Sequence, residues 1–344
     1  MFGKTRLIIT IVCAAILVVF CLPEAAQARK PQFEWKVGTL APRNVGWAKQ
    51  VEEVLMPAIE RITEKDLNLR IYWGGVMGDD EDCIKKMRID QLQAGGLTAS
   101  GAILILPDWA VVEIPFLFNN YDEVDFVKPR MFDRFDQLMA ERGFKLVVWI
   151  DQDFDQLYSV RRPLEKPEDF RGMRFVTWYG PLEERVLELL GSRPIPINVP
   201  EVSASMRSGI AEANIAPAIW MVGSQMYSVA RYVNDMNIRY APALIVVTKK
   251  AYEEIPKAYQ DGIIAERWEI TDNFVAGTRR DNAKSLEAMI RYGMKKANIT
   301  PANLARFQQI LEPVGQEMVG KLYSQELLDE LKGHIAEYRA IHSN

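Results

Sequence analysis

Only two histidines, His334 and His342, occur in the 344 residues, and both lie among the last eleven. The body of the chain therefore lacks the usual general base, the usual activator of a serine or cysteine nucleophile and the commonest metal ligand. Gly-x-Ser-x-Gly, His-Glu-x-x-His, Cys-x-x-Cys and a phosphate-cradling glycine loop are all missing from the sequence. What remains able to move a proton is carboxylate: an enzyme built on this chain would need Asp151, Asp153 or Asp155 as its base. Asp79-Asp80-Glu81-Asp82 can be read as paired carboxylates or as a calcium loop. We read it as an acidic helix start, where negative charge complements the helix dipole. No catalytic residue, metal ligand or cofactor is assigned.

Four tryptophans, Trp73, Trp109, Trp178 and Trp220, lie near strand ends or in loops, where apolar cleft walls and stacking surfaces are built. Core packing is the competing reading for each.

The elements that would position these side chains alternate between strand and helix. The central stretch is Pro167 to Trp178: a charged Pro-Glu-Asp turn, Gly172, then the β-branched and aromatic Phe175-Val176-Thr177-Trp178 of a buried strand. A helix follows over Leu182 to Leu190 and another apolar segment over Ile195 to Val199. Before it, Phe33 to Leu40 reads as a strand, and Trp47 to Ile62 as a helix kinked near Pro57. Leu69 to Trp73 is a second strand, Gly74 to Gly78 a turn into the acidic-capped helix, and Leu97 to Ala99 a third strand feeding the loop with Trp109. Helices are expected around Glu123 to Val127 and Phe132 to Arg142, then the strand Lys145 to Ile150. Tyr158 to Arg161 reads as the first crossing into a second domain and Ala243 to Val247 as a returning strand. No proline interrupts Lys257 to Lys296, where apolar residues keep a helical period. A helix of about forty residues would run roughly 60 Å. The pattern implies a parallel α/β sheet, and such sheets bind ligands at the carboxyl ends of their strands.

Composition places the chain among ordinary globular proteins long enough for two domains, 49% hydrophobic and 26% charged. Residues 1–28 are read as a signal peptide: Lys4 and Arg6 precede an apolar run, Leu7 to Leu22, and Ala26-Gln27-Ala28 is a small-x-small cleavage pattern. The rival readings are an uncleaved anchor and acylation at Cys21, the latter weakened by bulky Phe20. Removing Lys4, Arg6 and Glu24 leaves 40 basic and 45 acidic residues, which gives no electrostatic footprint for nucleic acid or an anionic membrane surface. Cys83 alone survives cleavage, so no internal disulfide forms.

Five segments, taken in order, resemble the solute-binding proteins of TRAP (tripartite ATP-independent periplasmic) transporters. They are Lys36-Val37-Gly38, Gly78-Asp79-Asp80, Ile114-Pro115-Phe116-Leu117, Pro167 to Phe175, and Pro194-Ile195-Pro196-Ile197 with Glu201 and Ser208-Gly209, within a likeness running from about Phe33 to Tyr338. The resemblance implies a two-domain periplasmic-binding-protein (flytrap) α/β fold with crossing strands and a long helix spanning both domains. Residues 29–157 and 243–282 would form domain I, and 158–242 and 283–344 domain II. It implies no enzymatic activity, export to the periplasm with cleavage after Ala28, a small-molecule ligand, TRAP membrane subunits as partners, an accessory periplasmic protein as a further one, and a monomer.

The family's best-known trait is an arginine, on the strand after the Asp-Leu-x-Gly turn, that clamps a ligand carboxylate. Guanidinium suits that role because its planar fork matches a carboxylate and keeps its proton. Counted from Gly172, the position here is Val176. Leu40 stands where an asparagine can occur, Gln156 where a second arginine can, and Ala216 where an asparagine can; Asp80 is retained. A carboxylate buried among such groups without a cation would cost several kcal/mol, which disfavours the usual organic acid. A register slip of two residues would put Arg174 in the clamp instead, on the strand face it shares with Val176 and Trp178. The expected cleft is lined by these residues together with Ala99, Trp73, Trp109 and Trp220, and the expected solute is neutral or apolar, aromatic or lipid-like.

Overall fold

The computed structural model describes residues 30–43, 45–178 and 180–342. The expected signal peptide and cleavage point lie outside the described residues. Among those described, no helix is long and apolar enough to cross a membrane.

The first lobe opens with β1 (Phe33–Thr39), which pairs in parallel with β2 (Leu67–Tyr72) and with β3 (Ala94–Thr98). Helix α1 (residues 47–62) connects β1 to β2. It begins as α-helix at Trp47–Gln50, widens into a π-helical turn over Val51–Leu55 and resumes at Met56–Ile62. The wide turn precedes Pro57, which cannot donate to the ladder, so the helix is irregular beside the position where a kink was expected. Gly78, at φ +93°, enters helix α2 (Asp80–Arg88), and a Cβ on it would meet the Asp82 side chain at 2.3 Å. Asp79 caps α2 by accepting from the Asp82 amide, so the acidic cluster is a helix start as read. Ala99, expected to end the third strand, instead begins helix α3 (Ala99–Ile105), and Trp109 sits in a 3-10 turn over Pro107–Glu113.

One helix, α4 (Tyr121–Ala140), replaces the two expected around Pro129. The ring removes a hydrogen bond, yet Val124, Val127, Met131, Phe132 and Phe135 are buried on one side of α4, and that packing overrides the break. The crossing strand β4 (Phe144–Ser159) likewise unites the segment read as Lys145 to Ile150 with Tyr158, its ladder shifted at three points. The strand expected from sequence ended at Ile150, just before the charged residues Asp151, Asp153 and Asp155. Those charges are buried and paired, so the strand continues. Its antiparallel partner β8 (Tyr232–Thr248) extends well upstream of Ala243.

In the second lobe β5 (Arg174–Thr177) pairs in parallel with β6 (Arg193–Pro196) and with β7 (Ala213–Ala216). Helices α5 (Pro181–Leu189), α6 (Val202–Ser208) and α7 (Ala218–Gly223) cover these strands. The sheet order is β2-β1-β3-β8-β4-β7-β5-β6, so the parallel sheets of the two lobes are joined through the antiparallel crossing pair. A short helix α8 (Lys249–Glu254) leads into α9 (Lys257–Arg291), 35 residues and about 52 Å long. The chain ends with β9 (Lys295–Lys296), beside β8, then α10 (Pro301–Leu311), α11 (Val314–Glu317) and α12 (Gln325–Ile341). Helices α10 and α11 pack on α5, whereas α12 returns to α4 through Arg339 to Glu123 at 2.8 Å and Phe126 against Tyr338.

Several elements meet at Asp151 on β4. This fully buried carboxylate accepts from Lys128 of α4, from Arg279 Nε of α9 at 2.7 Å and from Tyr240 of β8 at 2.7 Å. Its carbonyl accepts from Trp47 Nε1 of α1 at 3.2 Å. Burial pushes its pKa up, but the adjoining ammonium and guanidinium more than reverse this, so the carboxyl titrates below its ordinary range. Asp151→Asn strips buried Lys128 of its close counter-charge, leaves Arg279 only Asp125, and should lower unfolding free energy by about 3–5 kcal/mol. Urea denaturation at pH 7 measures this, and a loss below about 1 kcal/mol would remove Asp151 as the junction's anchor.

Candidate functional site

An opening between the lobes lies where the strands end. Leu40 follows β1, Asp80 starts α2, and Ser100 and Leu104 belong to α3; facing them are Thr177 and Trp178 at the end of β5, Glu184 of α5 and Ile197 to Val199 after β6. This is the carboxyl edge of both parallel sheets, the position that α/β topology predicts for a ligand. Asp79, Asp80, Glu81 and Glu184 line it, and no lysine or arginine does among the described residues.

Asp80 is 96% buried at this wall by its 4% residual exposure. Its Oδ2 accepts from the Thr98 and Gly101 amides at 3.2 Å each and from the Thr98 hydroxyl, while Oδ1 has no hydrogen-bond partner. Burial raises the carboxyl to about 6 against the opposing pull of those donors. A Cβ at residue 101 would come within 2.9 Å of the carboxylate carbon, so Gly101 permits the approach. Trp178 packs edge-on against Trp220 of α7, ring centres 5.0 Å apart. Its amide donates to Glu183 at 3.1 Å, which fixes the strand end.

Two α/β lobes joined by a crossing strand pair, a 35-residue helix along both and a cleft at the sheet edges define a binding-protein architecture. The family model of bacterial extracellular solute-binding proteins, family 7, matches residues 37–322. The chain belongs to this family.

Its relatives are distant in sequence. The C4-dicarboxylate-binding periplasmic protein DctP of Rhodobacter capsulatus is 23% identical over 328 residues, covering 94% of this chain and 96% of the relative. Among solved structures, the sugar acid binding protein DctPAm of Advenella mimigardefordensis in complex with galactonate superposes with a TM-score of 0.84 at 16% identity, over 90% of this chain and 99% of that one. A TRAP periplasmic solute-binding protein from Sulfurospirillum deleyianum with bound succinate gives 0.80 at 17% identity, over 88% and 99%. Members of this family serve TRAP transporters as periplasmic solute-binding subunits; it is a transport family, not an enzyme family.

At the position where the family resemblance implies a clamping arginine, this chain has Val176. Val176 does not line the cleft: it is 1% exposed and packs with Tyr158, Val202 and Met206 in the second lobe's core. Strand alternation puts Phe175 in the opposite core, so only Thr177 and Trp178, at the strand's end, reach the opening. Arg174 is engaged elsewhere, donating to the carbonyls of Gly209 at 2.8 Å and Ile210 at 2.9 Å beside Glu212. Gln156 is buried, donating to the Phe154 carbonyl and accepting from Tyr158. Ala216 and Ala99 are wholly buried, and Trp109 is core, against Phe135 and Trp149. Trp73 lies on the outer side of the first lobe. Leu40, Asp80, Trp178 and Trp220 are the expected residues that the structure gathers around the cleft and the cavity behind it. Glu184 and Thr177 escaped sequence reasoning, which followed the strand face that Arg174 and Val176 share with Trp178.

Sequence reasoning also missed Arg239, 3% exposed on β8. It holds Asp155 at 3.0 Å and Glu183 at 2.7 Å, with Glu113 3.7 Å away. One cation faces three carboxylates. Burial raises Glu113 to about 8 and Asp155 to about 6, Arg239 opposing in both. Neighbouring Asp153, bonded to Tyr121, is raised by burial to about 7. None of these aspartates lines the cleft. Glu113 holds its proton more tightly folded than unfolded, so its favourable contribution is complete below pH 4.5 and is lost as pH rises through about 8. Glu113→Gln cannot lose a proton. Urea denaturation at pH 5 and pH 9 should find the variant gaining on the wild type at the higher pH, and parallel curves would place the proton elsewhere.

Proposed function

We propose that this chain is the solute-binding subunit of a TRAP-type transporter whose solute is neutral or apolar rather than a simple organic acid. The observation that carries this reading is the charge of the cleft, where four carboxylates face the ligand space and no cation does among the described residues. A carboxylate ligand would be desolvated beside like charges, at a cost of several kcal/mol. Leu40, Asp80, Trp178 and Trp220 are the proposed contacts, the aromatic pair forming the apolar wall and Asp80 accepting a hydroxyl or amine hydrogen. The lobes comprise 29–157 with 243–282 and 158–242 with 283–324, and the last helix joins the first lobe because it packs on α4. Closure over the solute would present the closed face to the membrane subunits, with an accessory periplasmic protein as a further partner. The chain is proposed to act without catalysis, as a monomer, after cleavage following Ala28.

The galactonate and succinate of the structural relatives support a second reading, an organic acid. Arg174 was the cation available for it, and its side chain is committed to the carbonyls of residues 209 and 210. A fluorescence titration separates the two readings. N-phenyl-1-naphthylamine, neutral and apolar, should brighten on binding, with affinity reduced roughly three- to tenfold in Trp178→Ala, as expected for loss of an aromatic contact of about 0.5–1.5 kcal/mol. Millimolar galactonate and succinate should not displace it. Displacement by either acid, with no effect of Trp178→Ala, would favour the organic-acid reading.

A further inference from the structure

One carboxylate of the ligand cleft is buried without a cation. Asp80 is 4% exposed; its Oδ2 accepts from the Thr98 and Gly101 amides and the Thr98 hydroxyl, and its Oδ1 has no hydrogen-bond partner. Several buried carboxylates elsewhere in the chain are given a cation: Asp151 has Lys128 and Arg279, Asp155 and Glu183 share Arg239, and Glu212 has Arg161 and Arg174. The charge that presses on Asp80 is instead that of Asp79, another carboxylate. A buried charge left in this condition is costly unless something outside the chain completes it.

The second lobe brings Glu184 of α5 and Trp178 to the same opening. Glu184 is half-buried, and no ion pair or hydrogen bond engages its side chain among the described residues. Carboxylates therefore line the space from both lobes, and like charges oppose closure until a cation lies between them. The dipole of α2 offers no compensating welcome to an anion, because Asp79 caps that helix and Asp80, Glu81 and Asp82 fill its first turn. Among the described residues no three histidine, cysteine or acidic side chains are grouped to hold a metal ion, so the complement sought is an organic cation. The opening measures about 230 Å³, just under the range of about 300–1,000 Å³ usual for drug-sized ligands, which favours a compact molecule.

We propose that the cleft takes a compact organic cation, a protonated primary or secondary amine whose N–H donates to Asp80 Oδ1 and whose charge lies between Asp80 and Glu184. Its apolar body rests against Trp178, whose ring attracts a cation as well as covering carbon. A quaternary ammonium has no N–H to give Oδ1 and does not complete the site. The inference rests on the reading above only in that the cleft excludes anions; it goes beyond that reading in giving the solute a positive charge. Capture and closure are then one event, since the cation that Asp80 binds also removes the repulsion between the lobes.

The probes are two matched sets, titrated calorimetrically into the mature protein at pH 7: cyclohexylmethylamine, cyclohexylmethanol and cyclohexanecarboxylate, and 2-phenylethylamine, 2-phenylethanol and phenylacetate. In at least one set the amine should bind about tenfold or more tightly than its alcohol, the scale of a charge-assisted hydrogen bond, and the carboxylate should not bind. Asp80→Asn sets an amide NH2, a donor, where Oδ1 accepts, and the amine should lose its advantage over the alcohol. Glu184→Gln should weaken the amine by about two- to fivefold, as expected for a partly solvated charge pair. Thermal unfolding of both variants checks that they fold, and the wild-type comparison stands without them. An alcohol that matches its amine in both sets would overturn the positive charge and leave the neutral reading intact. Uptake of a carboxylate in preference to its amine would overturn both. Failure of both amines to bind, or an amine preference retained by folded Asp80→Asn and Glu184→Gln, would likewise overturn the inference.

Discussion

Everything between the lobes depends on one buried carboxylate. Asp151 sits where β4 leaves the first lobe, and it is the shared acceptor for α4, α9 and β8, while its carbonyl holds α1. A lone charge at that depth would be untenable, and so would Lys128 without it. Together they let a charged stretch of strand run through the middle of the protein. The crossing pair β4 and β8 can then be long and continuous, and the lobes hang on either side of a common spine.

The same reasoning, applied along β4, explains the cleft by contrast. Each buried charge on that strand has been given a partner: Asp151 has Lys128 and Arg279, Asp155 has Arg239, and Asp153 has the Tyr121 hydroxyl. Buried cations are spent inside the scaffold. The ligand space receives Asp80 and Glu184 instead, together with Trp178. On the reading proposed above, a site with no lysine or arginine among its described lining residues and with Trp178 in its wall would select for a solute that brings no negative charge. Its relatives with galactonate and succinate share the fold and differ in this chemistry of the solute proposed here.

Much of the architecture was legible because it rests on local signals. The acidic cap at Asp79, the turn at Gly78 and the proline-free stretch that became α9 each follow from one or two residue types at known spacing. The family likeness supplied the topology that joins them. Long-range pairing was not legible: no local feature announces that Asp151, Asp153 and Asp155 are buried, so the strand was ended early, and two helices were expected where core packing carries a single one through Pro129. In the site, alternation along β5 was read correctly, but which face is covered depends on α6 and its Val202 and Met206, far away in sequence. Trp178 was found because it is large and ends a strand. Glu184 carries no such mark.

Native mass spectrometry of the mature protein, purified without denaturation and then unfolded to release what it carries, tests the central claim most directly. A neutral or cationic molecule, bound one to one, is the expected result. A released organic acid would contradict it.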